Sequence, residues 1–245
     1  MPLSKKTAVE QTKDLLHRAL MRSDIAIRHY KLTPAARKRQ ALAVTGVDTL
    51  IDVGANKGQA GRLYRRHGFR GLILSVEPDP AACATLRTWA EKYPPWETLQ
   101  CGVGDQPGSM ELHVSEESQF NSLRPMTSFT TDNSPHARYL STEQVEIRTL
   151  DDIAGRFGPD TTLGLKIDVQ GFEAEVLAGG PETLARARYV DIELCPVPLY
   201  EGQIMMIDLM QRMEAEGFSL VAIEDTYSDM STGQVLSYNG VYARL

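Results

Sequence analysis

Leu50-Ile51-Asp52-Val53-Gly54-Ala55-Asn56-Lys57-Gly58-Gln59 reads as an apolar strand carrying an acid near its end, a loop with glycine at both ends, and the start of a helix. Such a unit lets a ligand approach the backbone at the carboxyl ends of the strands, where open α/β sheets bind their ligands. The loop disfavours phosphate. A dinucleotide fingerprint needs G-x-G-x-x-G, and Asn56 stands where the middle glycine would be; a P-loop needs G-x-x-x-x-G-K-[ST], which Gly54 followed by Gly58 does not supply. S-adenosylmethionine has no phosphate and carries an ammonium and a carboxylate, so Asp52 beside the small-residue loop suits it better. The next apolar run ends Leu74-Ser75-Val76-Glu77-Pro78, which places Glu77 25 residues after Asp52. An acid at about that distance is positioned to accept hydrogen bonds from both hydroxyls of a ribose.

Outward from this unit, short apolar strands alternate with helical segments, the pattern of a largely parallel sheet covered on both faces. Thr49 to Val53, Leu72 to Val76, Thr98 to Cys101, Leu163 to Ile167, Tyr189 to Leu194 and Ser219 to Ile223 read as strands. Helices are expected near 58–67, 79–92, 172–178 and 203–217. After a Ser237-Tyr238-Asn239 turn, Gly240 to Arg244 suits a final strand added antiparallel. Two alternating stretches, Met110 to Val114 and Val145 to Arg148, flank a polar segment, so about 105–148 reads as an insertion of the kind that forms a lid or lacks fixed structure.

The chain of 245 residues holds 42% hydrophobic and 24% charged residues, which fits one globular α/β domain at 46–245 behind an N-terminal extension. The first 45 residues carry ten Lys/Arg against three Asp/Glu, a balance of +7; with −6 overall, −13 remains for the rest. A net negative charge argues against a dedicated nucleic-acid binder. Residues 5 to 30 space their apolar positions as an amphipathic helix, and a second helix should start at Pro34 with Thr33 as its N-cap. For this basic arm three readings stay open: packing on the domain or on a second subunit of a homodimer, lying peripherally on an anionic membrane, or recruiting an acidic partner. No secretory signal is legible, and Cys83, Cys101 and Cys195 form neither a disulfide framework nor a zinc motif, so a reducing cytoplasm is expected.

The motifs together resemble the FkbM family of methyltransferases. Asp52 to Gly58 is similar to the family's D-V-G-A-N-x-G loop and Val76-Glu77-Pro78 to its ribose step. Thr149-Leu150-Asp151, and Lys166-Ile167-Asp168-Val169-Gln170-Gly171-Phe172-Glu173 continuing to Val176-Leu177-Ala178-Gly179, are similar to its T-L-D and K-I-D-V-E-G-x-E-x-x-V-L-x-G segments. Gln170 stands where the family commonly has Glu, and it is given no catalytic role. The resemblance covers about 48–245 and implies a class I methyltransferase sheet, S-adenosylmethionine as donor, and O-methylation of a sugar or polyketide-like hydroxyl. It also implies adenine binding after the third strand, with Gly102, Val103 and Asp105 as candidates.

A sugar hydroxyl is a poor nucleophile at neutral pH and needs a general base or a metal. Asp168 should stand on the rim with Asp52 and Glu77, bound either to cofactor or to acceptor, and Glu193 on the rim of the next strand. Together they could hold a divalent cation such as Mg or Mn, or act separately without one. Lys166 points to the same face as Asp168 by strand alternation, and His136 in the insertion is a candidate base once the lid closes. Asn121 and Ser122 are either substrate contacts or turn chemistry. Two rival functions remain: a nicotinamide-dependent sugar oxidoreductase or epimerase, and a non-catalytic S-adenosylmethionine-binding module.

Overall fold

A computed structural model describes residues 7–21 and 33–245; the C-terminal part of the helix expected over 5–30 lies outside the described residues. Two helices come first, α1 (Ala8–Met21) and α2 (Pro34–Thr45). Thr33 caps α2 through its hydroxyl, which accepts the Ala36 N–H at 3.3 Å, and Gly46 closes it with φ 66°.

Seven strands form the main sheet: β1 (Thr49–Val53), β2 (Leu72–Val76), β3 (Trp96–Leu99), β7 (Leu163–Ile167), β8 (Tyr189–Leu194), β9 (Ser219–Ser228) and β10 (Val235–Ala243). Their order is β3-β2-β1-β7-β8-β10-β9, and β10 runs antiparallel to both neighbours while the remaining pairs are parallel. This is the class I methyltransferase sheet. Its order reverses between β1 and β7, and the crevice at such a switch point is where ligands bind.

Strand alternation sends Ile51, Val53, Leu165, Ile167 and Ile192 into one apolar layer. There they meet α6 (Leu150–Ala154), α7 (Glu173–Ala178), α8 (Pro181–Arg186) and α9 (Met206–Ala215). The opposite face buries Leu50, Ile73, Tyr189 and Val241 against α2, α3 (Gln59–Arg66) and α4 (Pro80–Lys92). Among the described residues no helix is long and apolar enough to cross a membrane.

Three expectations shift. The third strand begins at Trp96, not Thr98, because Trp96 pairs with Ile73 and packs its indole against Gly61, where an added Cβ would come within 2.2 Å of the ring. Ser237-Tyr238-Asn239 is not a turn but part of β10, where Tyr238 pairs with Leu194 and Asn239 with Glu193 on β8, while the register against β9 is irregular. The insertion is ordered: β4 (Gly102–Gly104), β6 (Tyr139–Thr149) and β5 (Gly108–Ser115) make a second sheet in the order β4-β6-β5, and α5 (Ser128–Asn133) lies between its strands in sequence.

Candidate active site

The rim of the sheet opens into a cavity of about 480 Å³ that reaches from Gly102 and Val103 past Glu77 and Gly54 to Asp168 and Glu193. At its donor end Gly54 adopts φ 77°, and its N–H and that of Ala55 both donate to the Val76 carbonyl. β1 and β7 approach so closely here that a Cβ on residue 54 would fall 1.8 Å from the Asp168 carbonyl oxygen, so only glycine fits. Asn56 at φ 47° and Gly58 at φ 81° continue the left-handed bend into α3, asparagine being a residue that tolerates this region. The Asn56 N–H then points at Glu77 and donates to its Oε2 at 2.7 Å, while the Asp79 N–H donates to Oε1 at 2.9 Å.

Burial outweighs those two hydrogen bonds and pushes the Glu77 carboxyl up to about 7. Each of its oxygens keeps a second lone pair, which is what a pair of ribose hydroxyls requires. Asp52 is 1% exposed, and burial raises it to about 6 even though Ser75 Oγ donates to it at 2.9 Å, with Trp96 Nε1 donating to Ser75 in turn. The donor set therefore fits S-adenosylmethionine: a glycine-shaped bend, a ribose-facing acid and a wall at Gly102 and Val103. Asp105 does not join them. It is exposed beyond the end of β4, where the chain turns toward β5.

At the other end, Asp168, Gln170 and Glu193 are held together. Gln170 sits at φ 54° just before Gly171 at φ 92°, a turn that folds its amide back over the rim. Its Nε2 donates to Asp168 Oδ1 at 2.8 Å and to Glu193 Oε2 at 3.2 Å, and its Oε1 accepts from the Tyr200 hydroxyl at 2.7 Å. Tyr200 is buried and kept protonated, so it fixes which way the amide faces. Lys166 Nζ donates to Asp168 Oδ2 at 3.3 Å and to Asn239 Oδ1 at 3.1 Å. Burial alone would lower this ammonium, but the surrounding Asp168, Asp191, Glu193 and Asp52 prevail and hold it above its usual range. Glu193 is pushed well up by burial and by the nearby Asp168 and Glu173.

A divalent cation between Asp168 and Glu193 would have to displace the Gln170 side chain. The space between the two carboxylates is taken by an amide that donates to both, and among the described residues no group of three His, Cys, Asp or Glu is placed to share an ion. His136 is exposed in a single 3-10 turn, Pro135–Ala137, outside the lining of the cavity. The roof comes instead from residues just before it. Ser118 Oγ donates to Asn56 Oδ1 at 2.9 Å, Asn121 Nδ2 to Asp79 Oδ2 at 3.0 Å, and Ser122 Oγ to the Gln170 carbonyl at 2.7 Å. Asn121 and Ser122 thus tie the insertion to the rim.

The residue that the sequence reading set aside, Gln170, is the hub of the acidic end, and a polar residue before glycine at a strand end was the signal for its turn. Tyr200, Asn239 and Lys38, which also line or brace the cavity, carry no local signature; pairing between distant segments puts them there.

A model of the methyltransferase FkbM domain matches residues 52–220, over two thirds of the chain. The chain belongs to the FkbM methyltransferase family. This S-adenosylmethionine-dependent methyltransferase is 28% identical over 180 residues to the 2-O-methyltransferase NoeI of Sinorhizobium fredii, across 71% of its own length and 73% of the relative's. Solved structures with similar folds include TehB from Haemophilus influenzae (TM-score 0.44, 10% identity, 84% of this chain), of which the methyltransferase spans only 60%. They also include an rRNA methylase from Streptococcus thermophilus (0.46, 8%, 87% of this chain and 97% of that one). A third is the Burkholderia thailandensis 1,6-didemethyltoxoflavin-N1-methyltransferase (0.41, 15%, 99% and 92%), solved with bound 1,6-didemethyltoxoflavin and S-adenosylhomocysteine. Membership in the family removes the nicotinamide-dependent alternative for the methyltransferase.

Proposed function

We propose that this enzyme methylates a hydroxyl oxygen of a sugar or polyol-like small molecule, and that it works in the cytoplasm. The observation that carries the reading is the Asp168 carboxylate, about one-third exposed to the cavity, beside the cofactor bend and braced on both oxygens. The name of the Sinorhizobium fredii relative, a 2-O-methyltransferase, supports oxygen as the target. Three free, buried cysteines support a reducing compartment.

When bound, S-adenosylmethionine supplies an electrophilic methyl on a sulfonium, so the chain's task is to align the acceptor and take its proton. Glu77 and the Gly54 bend set the donor's position. Asp168 accepts the hydroxyl proton as oxygen attacks. Lys166 and Gln170 hold the two Asp168 oxygens in place through hydrogen bonds, and Glu193, whose protonated form burial and its acidic neighbours favour, is placed to offer an O–H to the acceptor. Water is kept out by the Ser118–Ser122 roof.

The test is labelled methyl transfer to a panel of glycosides, wild type against Asp168→Asn. The substitution should cut kcat by about 100-fold or more, the scale of general-base catalysis, with S-adenosylhomocysteine affinity changed by no more than a few-fold. No transfer to any glycoside, or a variant as fast as wild type, refutes the reading.

A further inference from the structure

The cavity does not stop at the rim. Beneath Glu193 it continues to Asp191, two residues back on the same face of β8, where it is also lined by Lys38 of α2 and Tyr64 of α3. Asp191 is 1% exposed, and its Oδ2 is occupied twice, by Lys38 Nζ at 3.0 Å and by the Tyr64 hydroxyl at 2.7 Å. Lys38 is itself buried and reaches Glu224 at 2.8 Å. Burial opposes ionisation of Asp191, yet Lys38, Lys166 and the Tyr64 hydrogen bond more than offset it and hold the carboxyl below its usual range. A charged oxygen is thus fixed in a buried site, and the carboxylate's other oxygen, Oδ1, has no hydrogen-bond partner among the described residues. An unsatisfied buried carboxylate oxygen is costly, and where it lines a cavity it calls for a donor from a ligand.

We propose that Asp191 Oδ1 is an acceptor-binding subsite that takes a hydrogen bond from a second hydroxyl of the polyol, one that is not methylated, and so selects which hydroxyl faces the donor. This rests on the hydroxyl-methylation reading above. Residues two apart on a strand share a face, with Cα atoms about 6.6 Å apart, a spacing within the span of one pyranose ring with its hydroxyls. Lys38 and Tyr64 are positioning residues, because they hold Oδ2 and thereby aim Oδ1. Lys38 and Asn239, on either flank, lie outside the 52–220 segment that matches the family model, whereas Tyr64, Asp191 and Glu193 lie within it.

The experiment is steady-state methyl transfer to methyl glycosides and to each of their monodeoxy counterparts, using the full-length wild type and Asp191→Asn, with S-adenosylhomocysteine calorimetry on both. In the wild type, removing one particular non-methylated hydroxyl should raise KM about tenfold to a hundredfold, the scale of a hydrogen bond to a charged group, with kcat within about threefold. Asp191→Asn should raise KM for the complete glycoside by a similar factor. It should show no further penalty with the deoxy compound and an unchanged affinity for S-adenosylhomocysteine. The proposal is overturned if no single hydroxyl matters to wild-type KM, a result that needs no variant to fold, or if the deoxy and Asp191→Asn penalties multiply. A wild type that binds S-adenosylhomocysteine but methylates no glycoside overturns the hydroxyl reading itself and this subsite with it. Normal turnover that is indifferent to the deoxy series overturns the subsite alone.

Discussion

Replacing Gln170 by glutamate, the residue common in the family at this place, exchanges a donor shared by two carboxylates for a third carboxylate. The Gln170 amide lies 2.8 Å from Asp168 and 3.2 Å from Glu193, so the new group would face Asp168 at about hydrogen-bond distance. Two like charges roughly 3 Å apart repel by about 5 kcal/mol at an effective dielectric of 20, and the partial exposure of Asp168 reduces this further. The site can avoid that repulsion by binding one extra proton. The cost is then limited to about 1.4 kcal/mol for each pH unit above the unfolded carboxyl value near 4.3, or roughly 3.7 kcal/mol at pH 7.

The sign follows from the direction of the shift. Gln170→Glu introduces a carboxyl whose folded pKa lies above its unfolded one, so its penalty is absent below about pH 4 and grows as the pH rises toward the folded value. Melting midpoints should differ little at pH 4.5 and by about 7–15 °C at pH 7, taking roughly 2–4 °C per kcal/mol for a chain of this size. Millimolar Mg²⁺ or Mn²⁺ should recover part of the loss in Gln170→Glu and leave the wild type unmoved, because the substitution supplies the third oxygen ligand the native cluster lacks. An offset of equal size at pH 4.5 and pH 8 would refute this account of the acidic cluster.

The remaining predictions concern the donor half. Because burial puts Glu77 at about 7 in the free protein and ribose hydroxyls favour its ionised form, S-adenosylhomocysteine should bind more tightly as pH rises from 6 to 8 and release a fraction of a proton. Calorimetry in two buffers of different ionisation enthalpy measures this, and Glu77→Gln should weaken binding about tenfold or more and flatten the slope. Gly54→Ala should destabilise by about 3 kcal/mol or more in urea unfolding, combining a positive φ with a Cβ 1.8 Å from the Asp168 carbonyl oxygen. Asn121→Ala removes the donor to Asp79 and the acceptor for the Ser115 N–H. Amide exchange over 115–122 should accelerate by about tenfold, with the global melting midpoint nearly unchanged.

Much of the donor half was legible in the sequence because its signals are local. Strand β1, the Gly54 to Gly58 bend and Glu77 lie within 29 residues, and each announces itself through apolar runs and glycine. The start of α2 was legible for the same reason, Thr33 and Pro34 being adjacent cap residues. The small sheet was legible only in part: the alternating stretches Met110 to Val114 and Val145 to Arg148 fall within β5 and β6. β4 is three residues long with two glycines, and most of β6 is exposed, with only Val145 and Ile147 buried, so alternation shows in its last third alone. Asp105 was placed by analogy with a rim position, whereas the chain leaves the rim at Gly104 to build that sheet. Asp168, Glu193 and Lys166 could be read as neighbours from strand alternation, but what joins them could not. Gln170 acts through a left-handed turn and through Tyr200, 30 residues away, and Lys38 acts across 153 residues to Asp191.

The segment over the cavity is held unequally on its two flanks. Toward the bend, Ser118 and Asn121 contribute one hydrogen bond each; on the far flank Phe120, Met126 and Phe129 sink into an apolar seam with Leu199, Tyr200 and Leu236. Two hydrogen bonds are worth about 1–3 kcal/mol net, whereas several buried side chains at about 1.5–3 kcal/mol each amount to far more. Parting therefore starts at the polar flank. An opening at that flank would uncover the donor's end of the chamber and leave the apolar seam beside the acceptor's end in place.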